Sequence, residues 1–377
     1  MFHSEVPAPH LHISGQITAY SPFINSRNYC QYFIGDNITQ LKQITFASMQ
    51  HTLKIDIPRL PRPIAYADTL LLTGSCFTEH ISDRLMQHKF NVLSNPNGIL
   101  FNPLSVAHSL NSYIDNRQYT HDNLFYLNEL WNSWDHHTRF SDIDADTALQ
   151  NINNSQNQAA TYIRKADHLL ITLGSAFQYY LKDGSRPVAN NHRAPSQWFE
   201  KRLLTIETIV DALSTTLDRL LTINPGVQVI FTISPVRHIR DGVVENNRSK
   251  ARLIEAVHQL CEKYSSACYF PAYELLIDIL RDYRYYDIDF VHPNFMATSC
   301  VWEEFVKSAM ATEAIPLMQQ IHEVTVAYRH RPRFPETEAH QKFLTTFATK
   351  CVLLMQQNPL INLNEELSYF NMGKKNN

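Results

Sequence analysis

Three residues have the side-chain types that acyl transfer needs: a serine, a histidine and an aspartate. Ser75 lies in LLTGSCFTEH (71–80), where a buried-strand pattern runs directly into a helical one. A helix N-terminus supplies unpaired N–H groups and a partial positive charge, and both favour a developing oxyanion beside the hydroxyl. Serine is equally typical of a helix N-cap. Ser75 alone therefore leaves two interpretations open, a nucleophile and a cap.

Asp289 and His292 lie three positions apart in YYDIDFVHPN (285–294). One turn of loose helix can bring both side chains to the same side. An aspartate so placed accepts the imidazole N–H and selects the tautomer that takes a proton from serine. The alternative is a surface Asp–His pair in a turn. Together with Ser75, the pair predicts an acyl-transfer site on loops at one sheet edge.

Such a site also needs hydrogen-bond donors for the oxyanion. The N–H groups of Ser75 and of Gly98, in NPNGILFNP, are two candidates, because glycine lets the backbone approach a ligand closely. The loop VANNHRAP (188–195) offers the Asn190 side chain as a third. We expect this loop to overhang the same edge.

Alternating strands and helices would bring these residues together. Apolar runs predict strands at 68–73, 166–174, 227–235 and 267–270, a short strand after 91 and a hairpin within 123–141. Helical patterns occupy 104–114, 143–165, 198–223, 247–264, 298–310 and 336–357. This alternation predicts parallel pairing with right-handed crossovers, hence a three-layer α/β/α domain with a mainly parallel sheet and extra C-terminal helices. Ser75, Gly174 and Ser234 would follow strand ends, where ligands bind in such sheets.

Other residues invite weaker interpretations. His136 and His137 are adjacent, and neighbours on a strand point to opposite faces, so we predict no metal site there. Cys76 has no evident partner to stabilise a thiolate nucleophile. SPVRHIRDG (234–242) suits either an anionic or polyhydroxyl substrate or a solvated loop. Trp131 and Trp134 suit either a sugar-stacking platform or a core.

The composition excludes several classes of protein. The chain has 377 residues, 44% of them hydrophobic, and a net charge of -3, which disfavours a nucleic-acid partner. No apolar run is long enough for a membrane span. Six scattered cysteines and an N-terminus without a signal-peptide pattern predict a cytoplasmic protein with free thiols. No cofactor or metal is predicted, and the oligomeric state stays open.

Seven ordered segments resemble the GSCFA domain family, from about residue 50 to about 365. They are GSCF, NPNGILFNP, WNSWDHHTRFS, LITLGSAF, VANNHRAP, FTISPVRHIRDGVVENNRSKA and DYRYYDIDFVHPN. The family resembles the SGNH (GDSL-like) hydrolase superfamily, which implies a flavodoxin-like sandwich and a Ser-His-Asp esterase site. By that resemblance, Ser75 matches the first-block serine, Gly98 the second-block glycine, and Asp289 with His292 the final D-x-x-H.

One block departs from the superfamily pattern. Superfamily members usually have Gly-x-Asn-Asp, with the asparagine amide in the oxyanion hole, whereas Gly174 here begins Gly-Ser-Ala-Phe. Asn190 matches the family's own NCH motif and would replace that asparagine. The next residue is asparagine here, where many members have cysteine, so that cysteine is not required. The resemblance also implies that His137 and Arg139 belong to the pocket.

The sequence thus predicts an SGNH-type serine esterase for small O-acyl esters, with carbohydrate esters preferred by superfamily analogy. The predicted substrate contacts are His137, His192 and Arg237. An acyltransferase using the same site and a non-catalytic ligand-binding protein on the same fold are the alternatives. The predicted organisation is an N-terminal extension (1–48), an α/β domain (49–330) and a C-terminal helical extension packed on it (331–377) with a disordered tip.

Overall fold

The computed structural model describes residues 53–183 and 186–373. The predicted N-terminal extension, residues 1–48, and the last four residues of the predicted disordered tip lie outside the described residues. The strands are β1 Thr69–Gly74, β2 Asn91–Ser94, β3 Phe125–Leu127, β4 Leu130–Asn132, β5 His168–Leu173, β6 Phe177–Leu181, β7 Pro187–Val188, β8 Phe199–Leu203, β9 Gln228–Ile233 and β10 Ala267–Tyr269.

Ten helices accompany these strands in the described part of the chain. They are α1 Cys76–Gln87, α2 Pro103–Ile114, α3 Ala145–Lys165, α4 Ile206–Ile223, α5 Val243–Lys263, α6 Ala272–Glu274, α7 Phe295–Ala309, α8 Ala314–Arg329, α9 Glu338–Gln357 and α10 Asn364–Met372. A π-helical turn, Leu275–Ile279, continues α6.

The central sheet has five strands in the order β10-β9-β5-β1-β2, and every pair in it is parallel. The three middle strands, β1, β5 and β9, are buried along their whole length, as expected for a sheet covered on both faces. The crossover helices follow from this parallel pairing. The predicted α/β class and mainly parallel sheet are therefore confirmed.

Helices cover both faces of this sheet. Because side chains alternate across a strand, neighbouring residues point to opposite faces of the sheet. Paired residues form one row on each face: Leu71, Leu169 and Val229 on the first, and Leu72, Leu170 and Ile230 on the second. Helices α2, α3, α4 and α5 pack on the first face, and α1, α7 and α8 on the second. The predicted three layers are thus present.

Two small antiparallel sheets flank the central one. β3 and β4 form the hairpin predicted within 123–141. β6 pairs with both β7 and β8. The predicted helix at 198–223 was wrong in its first third, because Phe199–Leu203 pairs with Phe177–Leu181 and the helix begins only after the Thr205 cap.

The last three helices pack together around their own apolar cluster. Ile321 and Val324 of α8 meet Leu344 of α9 and Phe370 of α10 there. The sequence predicted α9 but neither α8 nor α10, and α10 extends into the segment predicted as a disordered tail. The domain boundary at residue 330 stays a prediction. Within the described ranges, no helix is both long and apolar enough to cross a bilayer.

Candidate active site at the carboxyl edge of the sheet

Ser75 lies between β1 and α1. Its N–H extends the sheet ladder by donating to Thr172 O at 3.0 Å, and its hydroxyl oxygen caps α1 by accepting from Phe77 N at 3.3 Å. The preceding Gly74 has φ +142°, and a Cβ there would lie 2.2 Å from Thr172 O. Ser75 itself is completely buried. The cap interpretation is therefore correct, and it does not exclude the nucleophile.

Asp289 and His292 form the predicted pair on the loop before α7. His292 Nδ1 lies 2.6 Å from Asp289 Oδ2, while Asp289 Oδ1 accepts from the N–H groups of Val291 and His292. The hydrogen bond from His292 holds the pKa of Asp289 at about 2, so the carboxylate stays ionised. An ionised acceptor at Nδ1 leaves Nε2 of His292 as the basic nitrogen.

The loop after β9 lies next to the loop that carries Asp289 and His292. Arg237 N donates to Val291 O at 3.3 Å, so this loop contacts the Asp289–His292 loop. Burial lowers the pKa of His238 and of His80 in α1, and the His292 charge contributes in the same direction to both. Ser75 begins the same helix. Ser75 after β1 and the loop after β9, which bonds the Asp289–His292 loop, therefore lie at the same carboxyl edge of the sheet.

Gly174, directly after β5, lies close to residues from two of these segments. A Cβ at Gly174 would lie 3.2 Å from Ser75 Cβ, 3.2 Å from His238 Nε2 and 3.3 Å from Phe101 Cδ1. His238 and Ser75 thus both lie beside Gly174, on the side where a side chain would project. Among the described residues, no hydrogen bond joins Ser75 to His292, and the Ser75 hydroxyl proton has no acceptor.

The predicted oxyanion donors make other contacts. Ser75 N–H donates to Thr172 O, and Gly98 N–H donates to Asn95 O at 2.7 Å. Gly98, with φ +79°, is instead needed for the close approach of His137, whose Cβ would lie 2.2 Å from a Cβ at that position. The Asn190 side-chain oxygen, Oδ1, accepts from His192 N at 2.8 Å. Because the backbone N–H groups of Ser75 and Gly98 already have acceptors, this structure does not favour them as oxyanion donors.

The three predicted substrate contacts all have partners in the fold. His192 is buried, and its Nε2 bonds Ser133 O at 2.8 Å. His137 caps a short helix by accepting from Arg139 N. Arg237 lies over the Tyr286 ring, 4.2 Å from its centroid, and bonds Phe290 O. Arg237 therefore supports the loop that carries His292.

The remaining candidates are structural in character. Burial raises the pKa of the Cys76 thiol, which argues against a thiolate beside Ser75. His136 is buried with its Nδ1 2.9 Å from Ser133 Oγ. Trp134 stacks on Phe125 within a core cluster. Over the described ranges, no group of three His, Cys, Asp or Glu side chains is arranged to hold a metal ion.

Lys250 also lies at this edge and is not among the residues predicted from the sequence. It is completely buried in α5, and its Nζ donates to Gly174 O at 2.7 Å and to Ser234 O at 2.6 Å. The ammonium thus links the ends of β5 and β9. Burial lowers its pKa to about 7. Two sequence signals could have found it: Lys250 shares the buried stripe of α5 with Leu253 and Val257, and it belongs to the segment FTISPVRHIRDGVVENNRSKA.

The fold and these side chains define an α/β protein with a Ser, His and Asp at the carboxyl edge of a parallel sheet. Residues 69–305 match the model of the GSCFA family, and residues 321–373 match that of the GSCFA domain protein, C-terminal domain. The chain belongs to the GSCFA family.

Comparisons with other known proteins are more distant. A carbohydrate esterase family 3 structure from Talaromyces cellulolyticus aligns at 11% identity and a TM-score of 0.32, covering 68% of this chain and 99% of that one. An acetyl xylan esterase, Est2A, from the rumen bacterium Butyrivibrio proteoclasticus aligns at 11% identity and a TM-score of 0.33, covering 65% and 64%. A comparison with curated protein sequences finds no match.

Proposed function

We propose that the protein is a serine hydrolase of carboxylic esters, with Ser75 as nucleophile, His292 as general base and Asp289 as the residue that orients it. The observation that carries the proposal is the 2.6 Å contact between His292 Nδ1 and the ionised Asp289 carboxylate, on a loop at the same sheet edge as Ser75. Such a pair leaves Nε2 to take a proton from a hydroxyl. The SGNH type of site is part of this proposal.

In the proposed reaction, Ser75 Oγ attacks the ester carbonyl carbon and its proton passes to His292 Nε2. The carbonyl π electrons move to the oxygen, which becomes the oxyanion. Collapse of this intermediate breaks the bond to the alcohol oxygen, which takes the proton from His292. Water then releases the acid from the acyl-serine by the same steps. A sugar hydroxyl in place of water gives the acyltransferase alternative.

The proposed substrates are small O-acyl esters, with acylated carbohydrates as the preferred class. Ser75 has no exposed surface, and Phe101 and His238 lie close to it around Gly174. Access therefore requires the surrounding loops to move, and a short acyl group requires the smallest movement. The direct test is a series of p-nitrophenyl esters from acetate to octanoate, for which we expect kcat/KM to fall as the chain lengthens.

One observation favours a second candidate, a ligand-binding protein that lacks the chemistry. The Ser75 hydroxyl is buried, and within the described residues it has no hydrogen bond to the proposed base. On that hypothesis the hydroxyl only caps α1.

A fluorophosphonate probe with intact-mass analysis separates the two candidates. Catalysis predicts one adduct on the wild-type protein, none on Ser75→Ala and slower labelling of His292→Ala. Cys76→Ala is the matched control, because it changes the neighbouring residue and should label like the wild type. An unlabelled wild type across pH 6–9, or labelling that persists in Ser75→Ala, would reject Ser75 as the nucleophile.

A further inference from the structure

We propose that His238 is the oxyanion donor of this site, with its neutral Nε2–H pointing at the oxygen that becomes negative when Ser75 attacks. This inference rests on the proposed function and adds a residue to it. The backbone N–H groups of Ser75 and Gly98 already donate to backbone carbonyls. His238 would supply the oxyanion donor in their place.

The geometry places His238 beside the nucleophile. Its Nε2 and the Ser75 Cβ are both 3.2 Å from the point where a Gly174 Cβ would lie. The His238 ring packs edge-on against Phe101, with the centroids 5.3 Å apart, and His238 N donates to Asn246 Oδ1 at 2.9 Å. Ring and backbone are thus held, so the nitrogen has a defined direction.

The His238 Nε2 atom is buried and has no hydrogen-bond partner among the described residues. A buried polar atom without a partner is costly and rare in native proteins, and such atoms often mark sites where a ligand supplies the missing group. The oxygen of a tetrahedral intermediate on Ser75 would be an acceptor within reach. The unpaired nitrogen is thereby explained by the reaction.

Burial, together with the charges around it, keeps the His238 ring neutral. Burial lowers its pKa to about 3, with further contributions from the positive charges of Lys250, His292 and Lys201 against the opposing charge of Asp241. A ring this difficult to protonate is a poor proton acceptor at neutral pH. It can still donate one hydrogen bond from its N–H, and a neutral imidazole is a known electrophile toward carbonyl oxygen.

The two histidines therefore have separate roles. His292 has its Nδ1–H held by Asp289 and moves the proton. His238 transfers no proton. Its Nε2–H bond stays intact and donates a hydrogen bond to the oxygen on which negative charge develops. In the resting structure this donor is unsatisfied. A hydrogen bond to an oxyanion is stronger than one to a neutral carbonyl oxygen, so this donor stabilises the transition state more than the substrate.

The test compares His238→Ala, which removes the donor, with His238→Gln, whose amide can still donate. We expect His238→Ala to lower kcat on p-nitrophenyl acetate by about 10²–10³-fold with KM changed less than about threefold. His238→Gln should recover at least about tenfold of that loss. The pH–rate profile should keep its shape in both variants, because His238 does not titrate in the working range.

His88→Ala is the matched control. His88 is also half-buried with a pKa lowered by burial, but it lies at the opposite end of α1 and bonds Arg84 O. It should change stability without changing kcat. The inference is overturned if His238→Ala keeps kcat within about threefold, if the glutamine variant is no better than alanine, or if the acid limb of the profile disappears, which would make His238 the base.

Failure of the proposed function gives a different pattern. If the wild type neither hydrolyses the ester nor labels at Ser75, both proposals fall together. If the wild type is labelled and active while His238→Ala matches it, only the His238 role falls. A third readout is independent of turnover: ¹⁵N spectra of the histidine rings should show His238 as the neutral Nε2–H tautomer from pH 5 to 8, and the Nδ1–H tautomer would contradict the role.

Discussion

A side chain at Gly174 would project into a tightly packed space beside the candidate site. Gly174→Ala would bring a methyl group to 3.2 Å from both Ser75 Cβ and His238 Nε2, closer than ordinary van der Waals contact. We expect one of them to shift, and kcat/KM for ester hydrolysis to fall at least tenfold, because displacements well under 1 Å misalign reacting groups.

The matched control for this change is Gly226→Ala, where the added methyl group meets nothing within 4 Å. That variant should keep wild-type activity. Urea unfolding of both variants separates a loss of activity from a loss of folding. Full activity in Gly174→Ala would show that the space around Ser75 and His238 is less restricted than the structure indicates.

His136 should make the folded state sensitive to acid. Burial lowers its pKa from 6.5 to about 3, although the nearby Asp135 opposes the shift. Between these two values the unfolded chain binds a proton that the native protein does not, so stability falls as the pH drops through this window. Each such group contributes a slope of about 1.4 kcal/mol per pH unit.

The prediction is checked by urea unfolding of the wild type and His136→Asn from pH 4 to pH 7. In the variant, the slope of the free energy of unfolding against pH should be smaller by the contribution of about one proton, whatever its stability at pH 7. His238 has a similarly low pKa and should retain its own share of the slope in that variant. An identical slope in both proteins would mean that His136 is already protonated or partly exposed in solution.

At the scale of elements, the loop after β9 supports the loop that carries His292. Arg237 lies over Tyr286 and bonds the Phe290 carbonyl. Arg237→Met should loosen the Asp289–His292 turn and lower kcat about tenfold with little effect on KM, because a mobile base is less often aligned. Steady-state kinetics tests this, together with faster amide exchange at Val291 and His292.

The comparison for Arg237→Met is Arg248→Met. Arg248, in the first two turns of α5, also carries a guanidinium, but it pairs with Glu245 of the same helix. It should leave both kinetic constants unchanged. A raised KM with unchanged kcat in Arg237→Met would instead support the direct substrate contact that the sequence suggested.

Most elements near the site could be predicted because their signals are local. A strand pattern ending at Gly74 and the three-residue spacing of Asp289 and His292 are both visible in short stretches of sequence. The region around β8 could not be predicted in this way. Its residues continue a helical pattern, and only pairing with Phe177–Leu181 makes them a strand, which is a tertiary effect that overrides local preference.

The position of His238 depends on the order of the strands in the sheet, so short stretches of sequence do not predict it. β9 lies next to β5, which lies next to β1, and the loops after all three strands converge on Gly174. The sequence marked His238, in SPVRHIRDG, only as a residue that suits either an anionic or polyhydroxyl substrate or a solvated loop. Likewise, the Ser75 amide looked free as a helix-start donor, whereas the register of β1 against β5 pairs it with Thr172 O.

At the scale of the whole described molecule, one ion pair joins the C-terminal helices to the segment after α1. Lys89 Nζ lies 2.5 Å from Glu366 Oε1, and the glutamate side chain is only 5% exposed. We expect Glu366→Ala to lower the free energy of unfolding by about 2 kcal/mol, because it leaves a largely buried ammonium without its partner. Urea unfolding at low and high salt measures this effect.

The exposed pair Lys350–Glu323 is the natural control, because its glutamate is 61% exposed. Glu323→Ala should change stability by less than about 0.5 kcal/mol. If the two variants lose equal stability, the Lys89–Glu366 pair is no more protected from water in solution than a surface pair.

The complete burial of Ser75 carries a kinetic consequence. A hydroxyl without exposed surface meets a reagent only during brief excursions of the surrounding segments, just as a protected amide exchanges only from opened states. When reclosing outpaces the chemical step, the rate of modification equals the opening equilibrium constant multiplied by the intrinsic rate. The modification rate would then not depend on solvent viscosity. Ligands that bind the opened state would increase it.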